Sequence, residues 1–336
     1  MTDGPAGPVV VCVRGPSRSG KTAMVCGLLE RLAVPGLRVA YAKRTHHELD
    51  IPEKASGRVW RAGPAAMVMA SPDRLQLTLP PVGGDAGELL GLVPVEVDLV
   101  LFETHSAEPY PTIRSELVDP APGEWTIATW SLADLDGAVE RAVAAVGALL
   151  PGDLELARAL RRARELHGGH VCAGLVLGTR LALYAGELLG VGLPDRGKRL
   201  VVEVEIDRCA ADAVQAVTGC RPGKRTLRFA DYGKLAATFW DLGSGRAVRV
   251  AARGDLRDRV GAYEADRHAR QSAAYLAWPA EELFTVREVE RPLGSLDLPG
   301  RPVRRVACVA CGEEVADGRD VATELGPCCR PCAGMG

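Results

Sequence analysis

Eight residues near the amino terminus, Gly15-Pro-Ser-Arg-Ser-Gly-Lys-Thr22, constrain this chain more than any other stretch. They fit the spacing G-x-x-x-x-G-K-[ST]. They follow the apolar, β-branched run Pro8–Val13 and precede Ala23–Leu32, where Met24, Leu28, Leu29 and Leu32 recur at helical spacing. A strand, a glycine-bearing loop and a helix in that order form a phosphate cradle. Gly15 and Gly20 tolerate positive φ, so the backbone across Pro16, Ser17, Arg18 and Ser19 can curl around phosphate oxygens. A helix starting near Lys21 aims its N-terminal dipole at the same charge. Lys21 supplies a mobile cation for the β- and γ-phosphates, and Thr22 offers a hydroxyl to Mg²⁺.

The pattern around this loop extends the same architecture. Arg38–Lys43, Val97–Glu103 and Trp125–Trp130 read as further strands and Leu135–Leu150 as a helix, which predicts an open parallel sheet covered on both faces. Asp98 and Glu103 bracket the third strand, and either is a candidate for the acid that faces Mg²⁺ in such folds. His46 and His47 follow a strand end, where α/β sheets place ligand crevices, and are candidates for contacting a phosphate or an anionic pterin. The chain contains no asparagine, so the guanine-selecting N-K-x-D element is absent and the residues alone do not identify a base.

Residues 9 to about 115 resemble the molybdopterin-guanine dinucleotide biosynthesis adaptor protein B (MobB) family. The resemblance rests on Gly15–Thr22, on A-K-R-T-H-H-E-L-D at Ala42–Asp50, on R-A-G-P at Arg61–Pro64 and on D-L-V-L-F-E at Asp98–Glu103. It implies a P-loop fold, usually dimeric, that binds GTP and Mg²⁺ and hydrolyses GTP slowly or only with a partner. The chain departs from that family at Ala23, at Glu53-Lys54-Ala55-Ser56 and at Thr104-His105.

Leu150-Pro151-Gly152 marks a joint, after which the rhythm changes. Leu154–Leu166 and Gly174–Leu189 read as helices, and Arg199–Ile206 and Arg246–Ala251 as strands, an α+β pattern. His167-Gly-Gly-His170-Val-Cys172 places two imidazoles and a thiol within six positions, flanked by flexible glycines, so they can converge on one metal ion. Cys209 with Asp212, Cys220 with Lys224, and Asp231-Tyr-Gly-Lys234 are further loaded clusters. Beside His170 or Lys224, the Cys172 thiolate would be stabilised and could ligate metal or act as a nucleophile, making these three the catalytic candidates. The ligand candidates for this second site are His167, His170, Cys172, Cys209 and Cys220.

Residues from about 155 to 332 are similar to the FmdE family, named for formylmethanofuran dehydrogenase. The carrying residues are H-G-G-H-V-C-A-G from His167, E-x-D-x-C-A-x-D-A-x-Q-x-x-T-G-C at Glu205–Cys220, and D-Y-G-K at Asp231–Lys234. The family opens on H-G-H-x-C-P-G, so one glycine is additional here and Ala173 replaces proline. The resemblance implies a metal site associated with molybdenum or tungsten enzymes and a small zinc-binding tail.

That tail is legible directly. Cys308-Val-Ala-Cys311 and Cys329-Arg-Pro-Cys332 are two C-x-x-C knuckles separated by seventeen residues, the spacing of a four-cysteine zinc ribbon. Four thiolates close the coordination sphere, so the ion is structural; Cys328 is a spare thiol or a substitute for Cys329.

Composition narrows the function classes. Forty-three acidic and 41 basic side chains leave a net charge of −2, and aromatics are only 4%, which argues against wrapping or stacking nucleic acid. The longest apolar stretch, Val171–Leu193, is broken by Arg180 and Glu187, and Met1–Pro8 lacks the features of a signal peptide, so no membrane span and a cytoplasmic location are expected.

The expectation is an α/β P-loop NTPase domain (residues 1–150), an α+β FmdE-like domain (151–290) and a small four-cysteine zinc ribbon (303–336). The function expected is GTP-binding assistance in molybdopterin cofactor biosynthesis or delivery to a molybdo- or tungsto-enzyme. GTP, Mg²⁺ and Zn²⁺ are the expected cofactors, with molybdopterin or a second transition metal beside them. A cofactor protein or client molybdoenzyme and a second copy of the chain are the expected partners. The alternatives are a metal-binding auxiliary component of a formylmethanofuran- or formate-dehydrogenase-type enzyme with a regulatory P-loop, and a GTPase that inserts a transition metal into a client.

Overall fold

The computed structural model describes residues 7–43, 67–72, 75–78, 86–260, 267–290 and 293–335. They divide into two compact units, Gly7–Leu154 and Glu155 onward. His46, His47 and Glu53-Lys54-Ala55-Ser56 lie outside the described residues.

The first unit is built on Val9–Arg14 (β1), Val39–Lys43 (β2), Leu99–Thr104 (β5), Thr112–Ser115 (β6) and Thr126–Trp130 (β7). Among the described residues these form one sheet in the order β2-β5-β1-β6-β7, and every pairing is parallel. Met67–Ala70 (β3) and Leu75–Thr78 (β4) form a separate antiparallel hairpin. Both faces of the sheet are covered, as apolar parallel strands require. On one face Val11, Val13, Leu99 and Leu101 pack with Met24 and Leu28 of Lys21–Arg31 (α1) and Val139 of Leu135–Gly147 (α3). On the other, Cys12, Val100 and Phe102 meet Ala86 of Ala86–Gly91 (α2). Burial pushes the Cys12 thiol up to about 12, so it is inert. Cys26, which flanks the same loop in sequence, is exposed.

The second unit begins with Leu154–Leu166 (α4) and Ala173–Leu189 (α5). Its sheet contains Leu200–Val204 (β8), Leu227–Phe229 (β9), Ala236–Asp241 (β10), Ala247–Ala252 (β11) and Phe284–Glu288 (β12), in the order β12-β11-β10-β8-β9. The pairings are antiparallel except β8 with β9. Between β8 and β9 runs Cys209–Thr218 (α6); Leu256–Val260 (α7), Arg267–Ala277 (α8) and Ala280–Leu283 (α9) lie between β11 and β12. α5 is apolar on most of its circumference because it is the core helix, packed on the sheet through Val176, Leu177, Leu181 and Leu189. Arg180 interrupts that helix without exposing a bare charge: its guanidinium donates to the carbonyls of Tyr275, Leu276 and Trp278 at the end of α8, at 2.8–2.9 Å. Among the described residues no helix is long and apolar enough to cross a membrane.

The tail holds two short hairpins, Arg305–Ala307 (β13) with Glu314–Ala316 (β14) and Asp320–Thr323 (β15) with Gly326–Cys329 (β16). Arg225, which precedes β9, pairs with Asp317 of the tail, and Arg228 of β9 pairs with Asp297 in the segment ahead of the tail.

Candidate functional sites

The phosphate loop leaves the carboxyl end of β1, the central strand, where open α/β sheets bind ligands. Gly20 is left-handed at φ 86, and a Cβ there would fall 2.5 Å from the Leu132 side chain. At Gly15 a Cβ would lie 2.6 Å from Ser19 Oγ and 2.9 Å from Ser115 Cβ, so only glycine fits at either position. Trp130 is fully buried and its Nε1 donates to the Ser19 carbonyl at 3.1 Å, fastening the loop from beneath.

Lys21 is 6% exposed and folds back over the loop, donating to the carbonyls of Gly15 (2.8 Å) and Pro16 (2.7 Å). Burial lowers its ammonium pKa, and the nearby Glu103 opposes that shift. Ser19 Oγ is buried without a hydrogen-bond partner, while Ser17, Arg18 and Thr22 are exposed. The first N–H groups of α1 have no helical acceptor, as at any helix start. The residues present therefore fit a phosphate: a buried cation, an orphaned hydroxyl and free backbone donors converge on one end of the sheet. The Thr22 side chain, next in the chain, is exposed.

The two acidic candidates separate. Glu103 pairs in register with Val13, so it reaches the loop end of the sheet; it is 3% exposed, accepts from Tyr41 Oη at 2.9 Å and meets Lys43 Nζ at 3.0 Å. Asp98 precedes the other end of the strand, five residues and about 17 Å away at ordinary strand rise. Its carboxylate accepts from the Arg38 backbone N–H at 2.9 Å. The expectation that either acid could face Mg²⁺ is corrected: Asp98 holds a strand entry and Glu103 alone lies beside the loop.

The second cluster sits where three helix ends meet. One ligand atom each from His167, Cys172 and Cys209 lies within 4.8 Å of the others. His167 directly follows α4, Cys172 caps the N-terminus of α5 with its sulfur accepting from the Leu175 N–H at 3.4 Å, and Cys209 opens α6. Both sulfurs thus sit at helix N-termini. Burial and the neighbouring Cys172 raise the Cys209 pKa, because two thiolates in one place repel; a cation between them reverses that cost. His167 Nδ1 lies 2.7 Å from Asp212 Oδ2, one turn along α6 from Cys209. One imidazole and two sulfurs make a soft set with room for a further ligand, the composition of an open zinc-type site.

Three of the residues named as ligands or catalytic candidates are not brought here. His170 is exposed, its ring 6.3 Å from that of His167. Gly168 and Gly169 both take positive φ, 79° and 89°, in the turn that separates His167 from His170. Cys220 lies beyond the far end of α6, about 16 Å along the helix from Cys209. It is buried, donates to the Leu200 carbonyl at 3.4 Å, and desolvation pushes its pKa up to about 11. Lys224 is exposed on a short turn at that same far end. Asp212 is the site residue that ligand counting omits; its signal is the i, i+3 spacing from Cys209.

In the tail, the sulfurs of Cys308, Cys311, Cys329 and Cys332 converge within 4.8 Å. The Cys311 and Cys329 sulfurs are 3.9 Å apart, and the Cys329 N–H donates to Cys308 Sγ at 3.3 Å. Backbone donors at Cys329 and Cys311 hold the Cys308 thiol down to about 5. Cys328 is buried outside the four, its sulfur 3.6 Å from Cys308. The four-thiolate arrangement is that of a structural zinc ribbon.

Comparison with known proteins divides the chain the same way. Residues 10–124 match the family described as "Molybdopterin guanine dinucleotide synthesis protein B", and residues 167–285 the family described as "FmdE, Molybdenum formylmethanofuran dehydrogenase operon". A curated relative from Archaeoglobus fulgidus, a "Probable S-adenosyl-L-methionine-binding protein", is 38% identical over 99 residues, 29% of this chain and 27% of that protein. The chain thus spans about a quarter of that relative's length. Among solved structures, an FmdE-like protein of the tungsten formylmethanofuran dehydrogenase type from Syntrophus aciditrophicus is 21% identical. It covers 53% of this chain and 92% of its own, with a TM-score of 0.37. MobB from Bacillus subtilis is 23% identical, covering 43% of this chain and 99% of its own at a TM-score of 0.33.

Proposed function

We propose, from a chain that joins a MobB-like segment to an FmdE-like segment and a four-cysteine tail, that this protein binds GTP with Mg²⁺ and assists molybdopterin-type cofactor maturation or delivery. One observation carries the reading. A loop that can cradle phosphate, with Lys21 already buried over it, occurs on the same polypeptide as an open His/Cys/Cys site, and both segments match families described in molybdenum-cofactor or molybdenum-enzyme terms.

In this reading the backbone of residues 15–20, Lys21 and Ser19 hold the phosphates, Thr22 holds Mg²⁺, and Glu103 orients the metal's water shell. His167, Cys172 and Cys209 hold a transition metal, with Asp212 fixing the imidazole. The tail zinc is structural. A homodimer and a molybdo- or tungsto-enzyme client belong to the same proposal, as does a location in the cytoplasm. Turnover of GTP is slow or needs that client.

Calorimetric titration with GTP and Mg²⁺ tests the nucleotide part: binding by the wild type and its loss in Lys21→Ala support it, and no binding by a folded wild type refutes it. Purification from the native cell, followed by fluorescence assay for oxidised pterin, tests the cofactor part. Nickel or cobalt at one equivalent outside the ribbon, without pterin, would instead favour metal insertion into a client.

A further inference from the structure

Within the second unit lies a cleft of about 680 Å³ whose chemistry comes from Glu203, Arg228, Phe229, Asp297, Arg319 and Arg330. None of these residues belongs to the phosphate loop or the His/Cys/Cys cluster. The volume lies in the range of small-molecule sites, roughly 300–1,000 Å³. One wall is the edge of the middle sheet, where β9 carries Arg228 and Phe229; the other is the tail, through Asp317, Arg319 and Arg330.

The lining is chemically specific. Asp317 is already consumed, because it pairs with Arg225 and accepts from the backbone N–H of Val303 at 2.9 Å. Asp297 serves two guanidinium groups, Arg228 at 3.2 Å and Arg319 at 3.7 Å. Arg330 is exposed and has no carboxylate partner among the described residues. Three guanidinium groups therefore face the carboxylates of Asp297 and Glu203, and the cleft carries an excess of planar, fork-shaped donors suited to an anion. Phe229 adds an apolar ring that is 53% exposed at the mouth, and Glu203 adds an acceptor for ring N–H groups.

We propose that this cleft binds a planar heteroaromatic anion, its ring stacked on Phe229 and its negative group held by Arg330 and Arg319. The proposal stands apart from the nucleotide-loop reading. It also ties the cleft to metal content. Arg330 sits between Cys329 and Cys332, and Asp317–Arg319 forms the turn that joins the two tail hairpins. A tail this short folds only around its ion, so the second wall exists only when the ribbon is loaded.

The test is a fluorescence titration of the full chain with pterin-6-carboxylate, a planar heteroaromatic anion without the phosphate that the loop would recognise. Saturable binding is expected, weakened about tenfold by Arg330→Ala, as loss of a charge-assisted hydrogen bond predicts, and by a similar factor in Phe229→Ala. Both side chains are exposed, so both variants keep the wild-type melting profile. Cys311→Ser, which opens the ribbon, abolishes binding. Absence of saturable binding, unchanged affinity in both exposed variants, or equal displacement by inorganic phosphate would overturn the ligand class. Wild-type affinity in Cys311→Ser would overturn the dependence on the tail.

Discussion

His167 Nδ1 lies 2.7 Å from Asp212 Oδ2, a contact that favours the tautomer with its proton on Nδ1. With Nδ1–H donating to the carboxylate, Nε2 is the free lone pair, and the ring is held in one orientation. Carboxylates that orient a ligating imidazole in this way typically set metal affinity by about 10–100-fold. Asp212→Ala is therefore expected to weaken Co²⁺ or Zn²⁺ binding at this cluster by that factor without abolishing it, whereas Cys172→Ala abolishes it. Competition against a chromophoric chelator, with the tail site as internal reference, measures both.

Gly178 gives a packing prediction at the same site. A Cβ at this position would stand 2.6 Å from Ala210 Cα and 2.7 Å from its carbonyl oxygen, so α5 and α6 touch backbone to backbone. Gly178→Val forces the helices apart, costs about 3 kcal/mol by the usual penalty for overpacking, and separates Cys172 from Cys209. Urea unfolding should show the loss, and metal titration should show weaker binding even though no ligand has changed.

At the phosphate loop, Gly20→Ala places a methyl group against Leu132 and a non-glycine residue at φ 86. The left-handed conformation alone costs about 1–2 kcal/mol. A modest drop in melting temperature is expected together with loss of GTP binding measured by calorimetry, because relief of the clash reshapes the cradle itself.

Asp241 supplies a pH prediction. Arg199 binds its carboxylate through two hydrogen bonds of 2.6 and 2.7 Å, and this holds the group well below the usual carboxylate range despite its burial. A depressed folded-state pKa stabilises above the unfolded value, about 3.9, and that stabilisation is lost as pH falls toward the folded value. Asp241→Asn should therefore lower the urea midpoint at pH 7, and its deficit should shrink as pH drops below about 4. An equal deficit at pH 7 and pH 3 would count against it.

Much of this architecture is legible in the residues, and the misses have physical causes. Helix α4 has the ends its pattern predicts, since its apolar positions recur regularly between Pro151 and the glycine pair. Strand β6, T-I-R-S, escapes a sequence reading because it is short and half polar, and its place in the sheet comes from pairing with β1 rather than from its own pattern. The strand Ala236–Asp241 escapes for another reason: it is buried on both faces, so it lacks alternation. Asp98 and Glu103 look equivalent as strand-bracketing acids, yet in a parallel sheet only the carboxyl end faces the loop. His170 and Cys220 resemble ligands by composition. The backbone turn at Gly168-Gly169 and the length of α6 decide otherwise, and neither distance is written in residue types.

The hydrogen bond from Trp130 to the Ser19 carbonyl reaches from the core of the first unit to the phosphate loop. It couples an indole with no solvent contact to the loop backbone, so a ligand that displaced the Ser19 carbonyl would alter the Trp130 emission. The difference in emission between the wild type and Trp130→Phe would isolate this signal from the other four tryptophans and follow nucleotide arrival in real time without a label.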